Sequence, residues 1–160
     1  MQFKEIIGQD DIKKQLVDMV QQNRLSHALL FLGKEGNGSL QLAIALAQYL
    51  TCEVINKNVP GSTGSLFKER SSQNSEARRP GPDSCDICAS CIKARPLIHP
   101  DIHFSYPVVT KKTGSPPISA DYTSEWRRFI KTHSYGNVYD WLQFIGAENK
   151  QGNITAQECN

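Results

Sequence analysis

Four cysteines in this sequence have a spacing typical of a structural metal site. Cys52 is followed, after a long gap, by Cys85, Cys88 and Cys91, with two residues between neighbours. Four thiolates in tetrahedral geometry are a usual ligand set of structural zinc. The long gap is no obstacle, because the cost of closing a loop grows only with the logarithm of its length. We therefore predict a Zn²⁺ site, with Cys85 and Cys88 on a turn that Asp83-Ser84 could cap and Cys91 on the opening turn of a helix.

Two other interpretations of the cysteines stay open at this point. Ferredoxin-type runs share the C-x2-C-x2-C spacing but continue with a further cysteine and a proline, whereas Lys93, Ala94 and Arg95 follow here, which argues against an iron–sulfur cluster. The thiols could also be unrelated and simply reduced. His99 or His103 could replace one of the cysteine ligands, although a histidine of this kind is more often only hydrogen-bonded.

A glycine-rich segment, Gly33-Lys-Glu-Gly-Asn-Gly38-Ser-Leu40, occupies the place of a phosphate-binding loop between a strand and a helix. In the pattern G-x-x-x-x-G-K-[ST], Ser39 stands where the lysine belongs and Leu40 where the Mg²⁺-binding hydroxyl belongs. Loss of the lysine weakens phosphate binding about 10-fold to 100-fold, and nothing remains to stabilise charge on a γ-phosphate. We predict no catalytic residue and no hydrolysis, so ATP is not expected as a cofactor; weak nucleotide binding through the backbone of Gly33, Gly36, Gly38 and Ser39 stays open.

The elements that would position these residues follow the order helix, strand, helix, insert, strand. In chain order they are a helix capped by Asp10 or Asp11 with Ile12, Leu16, Met19 and Val20 on one face, a continuous apolar strand over 28–32, a buried helix over 39–50, and a strand of period two over 102–106. Residues 53–84 are rich in proline, glycine, serine and asparagine, and we expect them to be mobile. A crossover helix between neighbouring strands predicts a right-handed βαβ unit, and hence an α/β fold with a parallel sheet.

The last third of the chain is rich in aromatic residues and indicates two short helices. Trp126, Phe129 and Ile130 share a face of the first; the second begins after Asn137 as N-cap and stops at Gly146. These aromatic side chains could pack in a core or form a partner surface. The motif Thr155-Ala-Gln-Glu158 is a capping box close to the last residue, from which we expect a helix to begin and the natural protein to continue.

Composition limits the classes of protein to which this chain can belong. Its 160 residues fit one domain, and 39% hydrophobic with 21% charged residues excludes collagen-like, coiled-coil and wholly disordered chains. The formal charge of +2 is too small for a global field that attracts nucleic acid or lipid. The sequence has neither a membrane span nor a secretory signal, which favours a reducing, cytoplasmic location.

Several motifs occur in an order that resembles a known family. Ile7-Gly8-Gln9, Arg24-Leu-Ser-His27-Ala-Leu-Leu-Phe-Leu-Gly33, the glycine loop, the four cysteines and His99-Pro-Asp101 resemble the amino-terminal AAA+ modules of the clamp-loader subunits of bacterial DNA polymerase III, over residues 3 to about 106. The similarity is greater to subunits of the delta-prime type. Those of the gamma/tau type usually carry an intact lysine-bearing loop and a longer basic start.

The resemblance implies an AAA+/RecA-like P-loop NTPase fold across a truncated domain 1–160, with a zinc-binding insertion at 52–95 and structural zinc on the four cysteines. It implies a non-hydrolysing subunit that helps hold the ring that loads the sliding clamp, within a DNA polymerase holoenzyme. Expected partners are the gamma/tau and delta subunits. The subunit is expected to contact DNA only through the complex and not to bind a membrane. Two alternatives remain, an active P-loop ATPase of the gamma/tau type and a free-standing zinc-ribbon module that binds nucleic acid.

Overall fold

The computed structural model describes residues 1–56, 81–111 and 114–159. Its α-helices are α1 (Asp10–Gln21), α2 (Ser39–Thr51), α3 (Glu53–Asn56), α4 (Ala89–Ala94), α5 (Thr123–Thr132) and α6 (Val138–Phe144), with 3₁₀ turns at Phe3–Glu5, Ser119–Tyr122 and Ala156–Cys159. The chain forms two compact units. The first unit comprises Met1–Leu32 and Ser39–Asp101, and the second unit comprises Gly33–Gly38 and Ile102–Asn160. Of the stretch 53–84 expected to be mobile, residues 57–80 lie outside the described residues.

The predicted α/β fold is wrong, because the described residues are helical and contain no strand of a parallel sheet. The run at 28–32 has no regular structure, and the side chains of Leu30 and Leu32 are 81% and 84% exposed. A continuous apolar run becomes a buried strand only where other strands pair with it and layers cover both its faces. No described segment does so here, and the predicted βαβ unit and P-loop NTPase sheet are therefore not formed.

The second predicted strand, 102–106, is also wrong. Its alternating pattern is explained by packing, because the side chain of Tyr106 is buried and stacks on Trp126 with ring centroids 4.1 Å apart. The backbone of Tyr106 hydrogen-bonds to a side chain rather than a strand, since its N–H donates to Ser119 Oγ at 3.1 Å and its carbonyl accepts from the same hydroxyl at 3.1 Å. The nearest approach to sheet structure in the described ranges is one antiparallel bridge between Val108 and Asn153.

Helix α1 is formed as predicted, but it begins at Asp10, one or two residues earlier than a cap at Asp10 or Asp11 would place its start. Gln9 precedes the helix in the left-handed conformation, with φ of 61°, and makes no side-chain cap. Asp10 lies inside the first turn, where its negatively charged carboxylate interacts favourably with the positive end of the helix dipole. Leu16 and Val20 are buried as expected, whereas Ile12 is exposed.

Helix α2 is the central element of the first unit. Residues around most of its circumference are buried, which confirms the prediction of a buried helix. Its inward residues join α1, the turn at Phe3–Glu5 and two cysteines in one core, made of Phe3, Ile6, Leu16, Val17, Val20, Leu42, Ala45, Leu46, Tyr49, Cys52, Ile55 and Cys91. Burial of this apolar surface is the main driving force for folding the unit.

The second unit is built around aromatic rings, which confirms core packing for most of the aromatic residues. Trp126, Phe129 and Ile130 of α5 are buried, as the helical spacing predicts. Trp141 of α6 lies among them, with its ring perpendicular to that of Trp126 at a centroid distance of 5.1 Å. Edge-to-face pairs of this kind contribute beyond the area they bury. Tyr139, by contrast, remains exposed.

Both predicted boundaries of α6 are confirmed. The side chain of Asn137 accepts a hydrogen bond from Asp140 N–H at 2.9 Å, and the carboxylate of Asp140 accepts one from Asn137 N–H at 2.9 Å, which completes a capping box. Gly146 follows the helix with φ of 70°, a conformation that glycine adopts without strain.

The capping box predicted at Thr155 and Glu158 is not formed. Residues Ala156–Cys159 make a 3₁₀ turn, while the Thr155 hydroxyl donates to the Pro117 carbonyl at 3.0 Å. The carboxylate of Glu158 accepts hydrogen bonds from Ser119 N–H and, at 3.4 Å, from the Ser105 hydroxyl. Both side chains therefore tie this turn to other parts of the second unit. None of the helices in the described ranges is long and apolar enough to cross a membrane.

Gly136, between α5 and α6, has no room for a side chain. A Cβ at this position would lie 2.6 Å from Cζ of Phe129, and the Phe129 ring is fully enclosed. We expect Gly136→Ala to lower the free energy of unfolding by about 1–3 kcal/mol, because the ring must shift within a packed core. Urea denaturation measures this loss. Gly81→Ala is the control, since its Cβ would meet no atom closer than 3.6 Å, and a loss for Gly136→Ala no larger than that of the control contradicts the prediction.

Candidate metal centre

Three local structures bring the cysteines of the first unit together. Cys52 lies between α2 and α3, Cys85 and Cys88 lie on the turn that precedes α4, and Cys91 lies within α4. The predicted arrangement, two cysteines on a turn and one on the opening turn of a helix, is confirmed. Cys88 is itself the N-cap of α4, because its sulfur accepts a hydrogen bond from Cys91 N–H at 3.4 Å.

The spacing of the sulfur atoms suits a single bound ion. All four Sγ atoms lie within 4.8 Å of one another. Sulfurs bound at about 2.3 Å to one tetrahedral zinc ion stand roughly 3.8 Å apart, and the Sγ atoms of Cys85 and Cys91 are 3.9 Å apart. A disulfide would bring two sulfurs to about 2.05 Å, and all four of these cysteines are free. The four cysteines can therefore hold a metal ion.

Backbone N–H groups point at three of the sulfurs. Cys52 Sγ accepts from Cys85 N–H at 3.5 Å, Cys85 Sγ accepts from Cys88 N–H at 3.4 Å, and Cys88 Sγ accepts from Cys91 N–H. Such donors favour the thiolate, which is the form that binds metals. Asp86 makes the tight turn possible by adopting φ of 59°, a left-handed conformation that aspartate tolerates better than most residues.

The four cysteines differ in how deeply they are buried. The side chains of Cys52 and Cys91 are 0% exposed, while Cys85 and Cys88 are half-buried. Burial raises the pKa of the Cys91 thiol far above its usual value. Without a cation, Cys91 therefore stays protonated at neutral pH, whereas a coordinated divalent ion stabilises the thiolate directly.

The histidines considered as substitute ligands are not part of the group. His99 is buried, and its Nδ1 accepts a hydrogen bond from Asp101 N–H at 3.1 Å. His103 is exposed in the second unit. Among the described residues, the ligand group consists of cysteines alone, which is a set that suits zinc.

Polar side chains that the sequence analysis missed hold the cysteine turn in place. Gln48 of α2 is 1% exposed, and its Nε2 donates to Ser84 Oγ at 3.0 Å. The side chain of Gln2 donates to the Ser84 carbonyl at 2.6 Å. Tyr49, which is also buried, donates from its hydroxyl to the Gly81 carbonyl at 3.1 Å. Gln48 on an otherwise apolar helix was the signal in the sequence for these contacts, since a buried glutamine side chain requires hydrogen-bonding partners.

Asp83 has a different role from the predicted cap of the cysteine turn. Its carboxylate accepts hydrogen bonds from the N–H groups of Phe3 and Lys4, at 3.1 and 2.9 Å, and from that of Ser84 at 2.8 Å. It therefore joins the start of the cysteine turn to the 3₁₀ turn at Phe3–Glu5. The N-cap of α4 itself is Cys88.

The residues predicted to contact phosphate lie in and next to a short turn. Gly36 and Gly38 have φ of 78° and 79°, and Asn37 N–H donates to the Lys34 carbonyl at 3.1 Å. Gly33–Gly38 belong to the second unit, whereas Ser39 is the first residue of α2 in the first unit. Leu40, half-buried in α2, occupies the place of the Mg²⁺-binding hydroxyl.

A family model and two of the similar curated proteins carry the name of DNA polymerase III. The model of the family described as "DNA polymerase III, delta subunit" matches residues 8–151. Similar curated proteins include DNA polymerase III subunit delta' of Bacillus subtilis, 29% identical over 99 residues, which is 62% of this chain. DNA polymerase III subunit gamma/tau of Mycoplasma pneumoniae is 34% identical over 50 residues, or 31% of the chain, and Protein STICHEL-like 1 of Arabidopsis thaliana is 34% identical over 59 residues, or 37% of the chain.

The aligned segments cover 22%, 7% and 5% of the Bacillus, Mycoplasma and Arabidopsis proteins, so the chain spans about a fifth or less of these relatives. No solved structure gives a significant match. The family model, in contrast, extends over most of the chain and includes all four clustered cysteines. The chain accordingly belongs to the DNA polymerase III, delta subunit family of clamp-loader proteins.

Proposed function

We propose that this chain is a non-hydrolysing clamp-loader subunit of the delta-prime type, in which a structural zinc ion holds the first unit together. The observation that carries the proposal is the convergence of Cys52, Cys85, Cys88 and Cys91 within 4.8 Å in a chain of this family. Residues 52–95 are then the zinc-binding module.

A structural rather than catalytic role for zinc is supported by the ligand count. Four cysteine sulfurs fill the tetrahedral positions of a zinc ion, so no position is left for a reactive water molecule. The ion would join the end of α2, the cysteine turn and α4. Cys52 and Cys91 would bind it from inside the core, and Cys85 and Cys88 from the half-buried side.

The chemistry of the glycine turn supports a subunit that does not hydrolyse ATP. Ser39 lacks the ammonium group that an ATPase of this kind uses to stabilise the γ-phosphate, and Leu40 lacks the hydroxyl that binds Mg²⁺. The delta-prime type is further supported by the longer alignment, 99 residues against 50 for the gamma/tau relative. Any nucleotide held by Gly33, Gly36, Gly38 and Ser39 would be bound through backbone groups.

In this proposal the parent protein acts in the cytoplasm as part of the ring that places the sliding clamp on primed DNA. Its partners are the gamma/tau and delta subunits, and it meets DNA through the assembled complex. The small formal charge, +2, is consistent with the absence of a strong direct attraction to DNA.

Two measurements on the purified chain test the proposal together. We expect about one zinc ion per chain by elemental analysis, in accordance with one four-cysteine site, and no Mg²⁺-dependent ATP turnover above a protein-free blank. Gly38→Val is the control for turnover, because it obstructs the glycine turn. Less than half an equivalent of zinc contradicts the metal centre, and turnover that Gly38→Val abolishes favours an active ATPase instead.

A further inference from the structure

Glu53 directly follows one of the cysteines and reaches the helix that carries another. It is the first residue of α3, one position after Cys52. Its Oε1 accepts hydrogen bonds from Ser90 N–H at 3.1 Å and from the Ser90 hydroxyl at 3.2 Å. Ser90 lies in α4 between Cys88 and Cys91. The carboxylate of Glu53, next to Cys52, thus contacts Ser90, which lies between Cys88 and Cys91.

The contact satisfies a group that the helix itself leaves without a partner. The first N–H groups of any helix have no acceptor within that helix. In α4, Cys88 Sγ accepts from Cys91 N–H, while Glu53 accepts from Ser90 N–H. The opening turn of α4 is therefore held by one cysteine sulfur and one carboxylate, and the carboxylate comes from a residue 37 positions earlier in the sequence.

We propose that Glu53 is a positioning residue of the metal centre, and that it raises the affinity for zinc by fixing Cys52 relative to Cys88 and Cys91. This inference rests on the zinc centre proposed above. Hydrogen bonds to the carboxylate are charge-assisted, and so stronger and more directional than those to a neutral acceptor. Groups that orient metal ligands in this way typically change metal affinity by about 10-fold to 100-fold when they are removed.

The test compares zinc affinity in Glu53→Ala, Glu53→Gln and the unchanged chain, measured by competition with a chromophoric chelator. We expect the Kd for zinc to rise about 10-fold to 100-fold in Glu53→Ala. Glu53→Gln retains an oxygen acceptor of the same reach, so it gives a smaller rise. Glu148→Ala, a change at an exposed glutamate in the second unit, is the matched control and leaves the Kd unchanged.

One further readout and a second variant separate positioning from a general effect on stability. The d–d absorption bands of the Co²⁺-loaded protein report ligand geometry, and we expect them to shift in Glu53→Ala. Ser90→Ala removes the hydroxyl contact but keeps the N–H contact, so it provides a milder second variant whose Kd rises several-fold, by about 2 to 10 times.

The outcomes distinguish this inference from the proposal on which it depends. If the unchanged chain does not bind zinc, the metal centre itself is wrong. If the unchanged chain binds zinc, but Glu53→Ala and Ser90→Ala match it in Kd and in the Co²⁺ spectrum, the centre stands and the role of Glu53 is overturned. The role of Glu53 is also overturned if Glu53→Ala lowers the urea midpoint of the metal-free chain, measured in excess chelator, but leaves the Kd for zinc unchanged.

Discussion

Replacing Cys91 with serine is expected to abolish stoichiometric zinc binding and to lower the melting temperature of the first unit by at least about 10 °C. Excess chelator is expected to have a similar effect on the unchanged chain. The reason is that two of the four proposed ligands, Cys52 and Cys91, are 0% exposed members of the core of that unit.

The size of the effect follows from the part of the chain that the metal would close. Cys52 and Cys85 are separated by a stretch that includes residues 57–80, so a shared ion would link two distant points of the chain. A covalent link across a loop between 15 and 100 residues is worth about 3 to 5 kcal/mol through chain entropy. A loss of that size shifts the melting temperature of a small domain by roughly 4–8 °C per kcal/mol.

Hydrogen exchange followed by mass spectrometry measures this loss locally, in peptides from α2 and α4. Cys159→Ser is the matched control, since it removes the fifth cysteine of the sequence, which lies outside the predicted ligand set. We expect the control to keep its zinc and its exchange protection. Unchanged protection of α2 and α4 in Cys91→Ser, or after chelation, would show that no metal holds this unit together.

The second large effect is expected for Trp141→Ala in the second unit, a loss of about 3–5 kcal/mol of unfolding free energy. Trp141 is 1% exposed, and its ring lies 5.1 to 5.4 Å, centroid to centroid, from those of Trp126, Tyr106 and Phe129. Its Nε1–H donates to the Pro107 carbonyl at 2.7 Å. Truncation therefore leaves a cavity among rings and an unpaired carbonyl group.

Urea unfolding monitored by the fluorescence of the remaining tryptophan, Trp126, measures this loss. Tyr139→Ala is the control, because this tyrosine is on the same helix but 60% exposed, and we expect it to change stability by no more than about 0.5 kcal/mol. Equal losses for the two variants would contradict the central position of Trp141.

A pair of milder variants isolates the hydrogen bond. No described group accepts a hydrogen bond from Trp126 Nε1, whereas Trp141 Nε1 has the Pro107 carbonyl as its partner. Trp141→Phe and Trp126→Phe remove similar volumes, but only the first leaves a carbonyl without its donor. Trp141→Phe is therefore expected to be the more destabilising of the two.

Features that depend on neighbours in the sequence could be predicted from it. Asn137 and Asp140 form their capping box within three residues, and Gly146 ends α6 with φ of 70°. The cysteine turn is similar, since Cys85, Cys88 and Cys91 make their N–H to sulfur contacts over steps of three residues. In each case the partners are separated by a few bonds, so residue type and spacing are enough to indicate the contact.

Features that depend on residues far apart in the sequence could not be predicted from it. The apolar run at 28–32 indicates burial, but a strand also needs another strand to pair with, and no described segment of the chain pairs with it. Glu53 reaches Ser90 across 37 positions, and Asp83 reaches Phe3 across 80. Such contacts depend on which surfaces meet when the chain folds.

The residue types alone therefore determined which chemistry is available to this chain: four thiols of metal-binding spacing, and a glycine turn that carries Ser39 and Leu40 where an ATPase needs lysine and a hydroxyl. Tertiary structure decided that the chain folds as helices and turns rather than as a parallel sheet, that a helix end, a turn and α4 bring those thiols together, and which carboxylate and amide side chains hold these segments in place. The physical reason is that side-chain chemistry is a property of each residue. Pairing and burial, in contrast, are properties of residue pairs that only the folded chain brings together.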